Sequence, residues 1–135
     1  MKLLHELTLK SAYEEVEKLE GLLNKLQEQL GFNDEFYARL MLAVSEAATN
    51  AIVHGNKLDE SKNTVVAAYR DGNKLIFVTT DEGEGFKPDE LPDPIAEENL
   101  LSTSGRGVFL MKEYADEVFF EEDGRKLTLS FILDS

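Results

Sequence analysis

Apolar residues recur at helical spacing from Ala12 to Leu30, at Val16, Leu19, Leu22, Leu23, Leu26 and Leu30. One amphipathic helix follows from that period, with Ser11 as its cap and Gly31 as its stop. A second helix starts at a cap on Asn33 or Asp34 and runs to about Val53 or His54, with Gly55 and Asn56 as exit signals. Ahead of both, "LLHELTL" (3–9) alternates imperfectly and predicts a first strand. "TVVAAYRDGNKLIFVTT" is a hairpin pattern, two β-rich runs around "DGN" with an Asp-Gly pair suited to positive-φ turns. Residues 81–107 are then poor in regular pattern and rich in Gly, Pro and acids, as in a long functional loop. "GVFLMKEY" predicts a short helix, and "DEVFFEEDGRKLTLSFIL" a second hairpin turning at Asp123-Gly124.

The order β-α-α-β-β-loop-α-β-β predicts a single α/β (α+β) two-layer sandwich over residues 1–135: an antiparallel sheet of four or five strands with helices on one face. There is no βαβα alternation, so a doubly wound parallel sheet is disfavoured. The 42% hydrophobic and 30% charged residues are ordinary for a globular chain. Without cysteine, neither a disulfide framework nor a thiolate metal site is possible. No apolar run approaches the ~18 residues of a membrane span, and "MKLLHELTLK" lacks a secretory apolar core. A cytoplasmic protein is the expectation.

The formal net charge is −13, from 27 acidic and 14 basic residues. With no Lys/Arg cluster, direct nucleic-acid binding is disfavoured. An anionic small ligand stays open, since backbone N–H groups and a bound cation can hold it without a basic surface.

Three stretches stand out against that background. In "SEAATNAIVHG" (45–55), Glu46, Asn50 and His54 follow at i, i+4 and i+8, and from Leu40 to Asn56 there is no Lys or Arg. Ala43, Ala47, Ala48 and Ala51 keep the helix surface small, which suits close approach by a ligand or another backbone. Glu46 and Asn50 suit a base and an oxygen ligand for Mg²⁺, a hard cation content with few protein ligands; a partly exposed helix face is the plainer alternative. His54 fits a place beside the terminal carbonyls better than catalysis. In "TTDEGEGF" (79–86), Asp81 ends a strand with Gly83 and Gly85 at D-x-G-x-G spacing. A carboxylate there can accept from an exocyclic amino group, and glycines let backbone come close; a simple turn is the alternative. In "STSGRGVFLMK" (102–112), Gly105 and Gly107 directly precede the predicted helix, whose free N–H groups would suit phosphates. The spacing is not that of a P-loop, and a flexible helix entry is the alternative.

In combination and order, these stretches resemble the N, G1 and G2 boxes of the GHKL ATPase superfamily, which includes gyrase B, histidine kinases and MutL. "AVSEAATNAIVHG", "DEGEGFKPDELPDP" and "SGRGVFLMKEYADEV" are similar to the RsbW/SpoIIAB-type anti-sigma factor serine kinases, over nearly the whole chain. The resemblance implies a Bergerat-type ATP-binding fold. It implies Glu46 as general base and Asn50 as the Mg²⁺ ligand at ATP. It further implies Asp81 at the adenine amino group, Gly83 and Gly85 shaping that wall, and Gly105, Arg106, Gly107 and Val108 around the phosphates. Residues 86–104 would form a lid over ATP or ADP, and Thr128 would lie near adenine. The implied activity is phosphorylation of an anti-sigma-factor antagonist on serine, with sequestration of a sigma factor by a homodimer. Two rivals share the pocket: a non-catalytic module whose partner affinity depends on nucleotide, and a detached histidine-kinase catalytic domain. The second needs a phosphoacceptor histidine, and only His5 and His54 are present.

Overall fold

The computed structural model describes residues 1–83, 103–122 and 125–133. Five strands form one sheet: β1 (Lys2–Lys10), β2 (Asn63–Asp71), β3 (Lys74–Asp81), β4 (Glu117–Glu121) and β5 (Lys126–Ile132). Their order is β1-β2-β3-β5-β4, with every neighbouring pair antiparallel. The helices are α1 (Lys18–Leu30), α2 (Asp34–Asn50) and α3 (Thr103–Tyr114).

All three helices contribute to one apolar core with a single face of the sheet. Leu19, Leu22, Leu23 and Leu26 of α1 join Leu40, Ala43, Val44 and Ala47 of α2 and Met111 of α3. They lie over Val66, Ala68, Leu75, Phe77, Leu129 and Phe131. Alternation along the strands decides the face, because successive side chains point to opposite sides. Phe77 pairs with Ala68 and Leu129, and all three are buried under the helices. Phe131 makes edge contacts with Phe77 at 5.9 Å and Phe36 at 6.3 Å, joining sheet to α2. The predicted two-layer architecture is the one formed.

The local starts and stops explain where the expected boundaries moved. Asn33 caps α2, its side chain accepting from the Phe36 N–H at 2.8 Å. Gly31 ends α1 in the left-handed conformation at φ 73°. Ser11 does not cap the first helix. A 3₁₀ turn, Tyr13–Glu17, precedes α1, and the Ser11 hydroxyl instead donates to the Lys62 carbonyl at 2.7 Å. The first hairpin also turns one residue later than the Asp-Gly pair suggests. Asp71 still pairs with Lys74, so the loop is Gly72-Asn73. Gly72 has φ 61° and Asn73 does not have positive φ, the pattern of a type II′ turn with glycine at its first central position. The Asp123-Gly124 turn lies outside the described residues, although Glu121 and Lys126 pair on either side of it.

Arg39 ties α2 to the end of α3. Its guanidinium donates to the Tyr114 carbonyl at 2.9 Å and lies 5.6 Å from the Phe36 ring centroid. That bond satisfies a carbonyl left over at the C-terminus of α3, so the two helices bearing the first and third stretches are braced together.

Candidate functional site

α2 does not continue as an α-helix through His54. A π-helical turn, Ala51–Gly55, follows Asn50, closed by Asn56 N–H to Ala51 C=O at 2.8 Å. The wider turn changes the phase of the helix, because each of its residues rotates less than an α-helical one. His54 is consequently exposed, Glu46 half-buried and Asn50 buried at 6% exposure. The expected single face of Glu46, Asn50 and His54 therefore breaks after Asn50, and His54 turns to solvent.

The same turn delivers Gly55 to the end of β3. A Cβ built on Gly55 would collide with the carboxyl group of Asp81, and one on Gly83 would collide with the Gly55 carbonyl. Gly55 was legible as a helix exit, but the residues in left-handed conformation are Lys57 (φ 54°) and Leu58 (φ 60°). Glycine at 55 serves close approach instead. Two backbones and a carboxylate meet where any side chain on residue 55 or 83 would stand.

Asp81 is 6% exposed on the helix side of the sheet. Its Oδ1 accepts from the Gly83 N–H at 2.9 Å, and its own N–H donates to the Arg125 carbonyl at 2.9 Å. Burial pushes its carboxyl above the ordinary value, and the Gly83 N–H and the charges of Arg125 and Lys62 only partly oppose this. Such a group gains from a donor presented by a ligand, and an exocyclic amino group is one.

Asn56 escaped the sequence reading except as an exit signal, yet it organises this corner. Its Nδ2 donates to Ser11 Oγ at 3.0 Å, the Asn63 carbonyl at 3.1 Å and Thr64 Oγ1 at 3.3 Å. Its Oδ1 accepts from the Glu82 N–H at 2.9 Å. One amide side chain, 1% exposed, thus fastens the residue after Asp81 to β2 and to the end of β1. The available signal was an amide directly after the small Gly55.

The remaining expected residues distribute as follows. Gly83 belongs to the corner just described, while Gly85 and residues 86–102 of the expected lid lie outside the described residues. Gly105 and Gly107 do not precede a helix but lie within α3, which begins at Thr103. Gly105 falls in the first turn, whose N–H groups have no intrahelical acceptor, and Gly107 falls past it. Arg106 and Val108 occupy the same helix. Thr128 is displaced from this site. It pairs with Val78 and Phe119, between the core-facing Leu127 and Leu129, and so belongs to the sheet face opposite Asp81. A one-residue difference in strand parity moves a side chain across the sheet.

A buried carboxylate with one backbone donor and a glycine-lined close approach suit a ligand that presents an amino group. Were a hard cation such as Mg²⁺ bound with that ligand, Asn50 would offer it a neutral oxygen. Among the described residues there is no group of three or more His, Asp or Glu side chains placed to hold a metal, and no helix is long and apolar enough to cross a membrane.

Residues 9–131 match the family model of the histidine kinase-like ATPase domain. The chain is 36% identical over 92 residues to an anti-sigma F factor of Clostridium perfringens, covering 64% of this chain and 66% of that relative's length. It is 34% identical over 110 residues to a serine-protein kinase RsbW of Bacillus licheniformis, covering 75% of this chain and 67% of the relative. The Bacillus subtilis serine-protein kinase RsbW is 29% identical over 102 residues, covering 71% and 64% respectively.

Proposed function

From the premise that this chain belongs to the histidine kinase-like ATPase domain family, we propose that it is an ATP-dependent serine-protein kinase of the anti-sigma type. The interlock of Gly55, Gly83 and Asp81 supports this reading, because it sets a buried carboxylate with one backbone donor beside two glycines whose lack of a side chain permits close approach. Asp81 accepts from the adenine amino group. Asn50 holds Mg²⁺, and the first turn of α3, with Gly105, offers N–H groups to the phosphates. Gly85, Arg106, Gly107 and Val108 are proposed to complete the nucleotide site.

When bound there, Mg²⁺ would supply charge neutralisation at the transferred phosphoryl group. Glu46 takes the proton of a serine hydroxyl on a partner protein as that oxygen bonds to the γ-phosphorus, and ADP leaves with the electrons of the broken bond. Names of relatives such as anti-sigma F factor support a sigma factor and a serine-bearing antagonist as partners. The reading includes a homodimer. The outer face of the sheet, on which none of the described helices packs and which carries Phe119 at 50%, Ile132 at 44% and Leu3 at 48% exposure, is its proposed seat.

Calorimetry with Mg-ATP tests the proposal on the wild type, Asp81→Asn and Glu46→Ala. The expected result is binding by the wild type, loss by Asp81→Asn, and binding without phosphoryl transfer to a serine-bearing antagonist by Glu46→Ala. Wild-type protein that binds no nucleotide overturns the whole reading. Binding with no transfer to any candidate antagonist leaves the nucleotide-dependent partner module in its place.

A further inference from the structure

Two buried side-chain hydroxyls lack a hydrogen-bond partner among the described residues, Thr79 Oγ1 and Ser130 Oγ. They lie on opposite faces of the sheet. Ser130 pairs with Ile76 and Glu117 on the outer face. Thr79 pairs with Val66 and Leu127, both members of the helix-covered core, and is 2% exposed.

Thr79 stands two residues before Asp81, so the two side chains follow one another along the same face of β3, about 7 Å apart along the strand. The row below them is Phe77 and Leu75, wholly apolar. Thr79 is therefore the point where that row turns from hydrocarbon to polar, directly beside the proposed base site. A valine would occupy the same volume without the cost of burying an unpaired hydroxyl. A hydroxyl kept there without a partner among the described residues is open to one that a bound ligand supplies.

Resting on the reading of Asp81 as the acceptor for an exocyclic amino group, we propose that Thr79 is a second base-recognising residue. Its hydroxyl donates to the ring nitrogen N1 of adenine, directly or through one ordered water. Adenine presents the amino donor and the N1 acceptor side by side, and a carboxylate followed by a hydroxyl on one strand face is the complementary pair. Guanine presents an acceptor and an N–H at those places, so its O6 would meet the Asp81 carboxylate.

The test is calorimetry of wild type, Thr79→Val and Thr79→Ser with Mg-ATP and with Mg-1-deaza-ATP, in which N1 is replaced by C–H. Thr79→Val should lower ATP affinity about ten-fold, the worth of one hydrogen bond of ~1.4 kcal/mol. It should bind 1-deaza-ATP within about two-fold of the wild type, the analogue having no acceptor to lose. Thr79→Ser should recover most of the ATP affinity. The free Thr79→Val protein should melt no lower than the wild type, which separates loss of recognition from loss of fold. Ser130→Ala, on the other face, should leave ATP affinity unchanged.

Equal ATP affinity in wild type and Thr79→Val overturns the inference, as does an equal loss for both nucleotides, which would mark a packing role. If Asp81→Asn still abolishes binding in those cases, the Asp81 reading stands without Thr79. If the wild type binds neither nucleotide, both fall together.

Discussion

The carboxyl group of Asp81 rests against the Cα of Gly55, so closely that a methyl group on residue 55 would share its space. This contact joins the π turn after α2 to the end of β3, and with it the first and second of the three stretches. Gly55→Ala must displace a buried carboxylate or the backbone of the turn. The expected cost is about 2 kcal/mol in urea unfolding, within the usual range for overpacking, together with loss of ATP binding. Gly21, at the end of the first turn of α1, is the counter-case, since a Cβ there meets nothing within 4 Å. Gly21→Ala should stabilise the protein by about 0.5–1 kcal/mol through helix propensity alone.

Burial raises the Asp81 carboxyl above its ordinary value, which fixes the sign of a pH effect. The folded protein holds a proton there at pH values where the unfolded chain has released it. Stability from that proton is full below the unfolded value of ~3.9 and is lost as pH rises through the higher folded value. Above that folded value the free protein carries an ionised, poorly solvated carboxylate. Asp81→Asn removes that cost while keeping an oxygen for the Gly83 N–H. Melting followed across pH should show the variant about 1–4 °C above the wild type near neutrality, with the gap closing in acid. A gap that widens in acid would reverse the assignment.

Asn56 is bonded on both its amide nitrogen and its oxygen, to partners on β2, beside β1 and after β3. Asn56→Ala leaves the Glu82 N–H and the hydroxyls of Ser11 and Thr64 without that partner. A loss of about 3 kcal/mol is expected, from several buried groups at roughly 1–3 kcal/mol each. Asn56→Asp should keep an acceptor for the Glu82 N–H but lose the bond to the Asn63 carbonyl, because a carboxylate cannot donate. Urea titration of the two variants orders them.

Thr128 lies on the outer sheet face with Val78 and Phe119. Thr128→Val should therefore leave ATP affinity within about two-fold of the wild type, a difference under ~0.5 kcal/mol. A ten-fold loss would place the residue at the nucleotide after all.

Much of the molecule was legible along the chain because the physics involved is local. Leucine spacing marked α1, Asn33 and Gly31 marked the boundaries on either side of the α1–α2 junction, and two hairpin patterns gave four of the five strands. The ordered triplet of Glu46 and Asn50, Asp81 with its glycines, and the Gly105–Gly107 segment pointed to a nucleotide family before any coordinates. What the chain could not show was set by contacts between distant segments. Whether Gly55 serves an exit or a collision-free approach depends on Asp81 reaching it from β3. Whether Ser11 caps a helix or supports Asn56 depends on β2 arriving beside it. Strand parity sent Thr128 to the outer face and Thr79 beneath the helices, and parity acquires meaning only once a helix layer has covered one side of the sheet. Periodicity and capping are short-range preferences that survive in a string of letters, whereas close approach and burial are properties of pairs that only packing brings together.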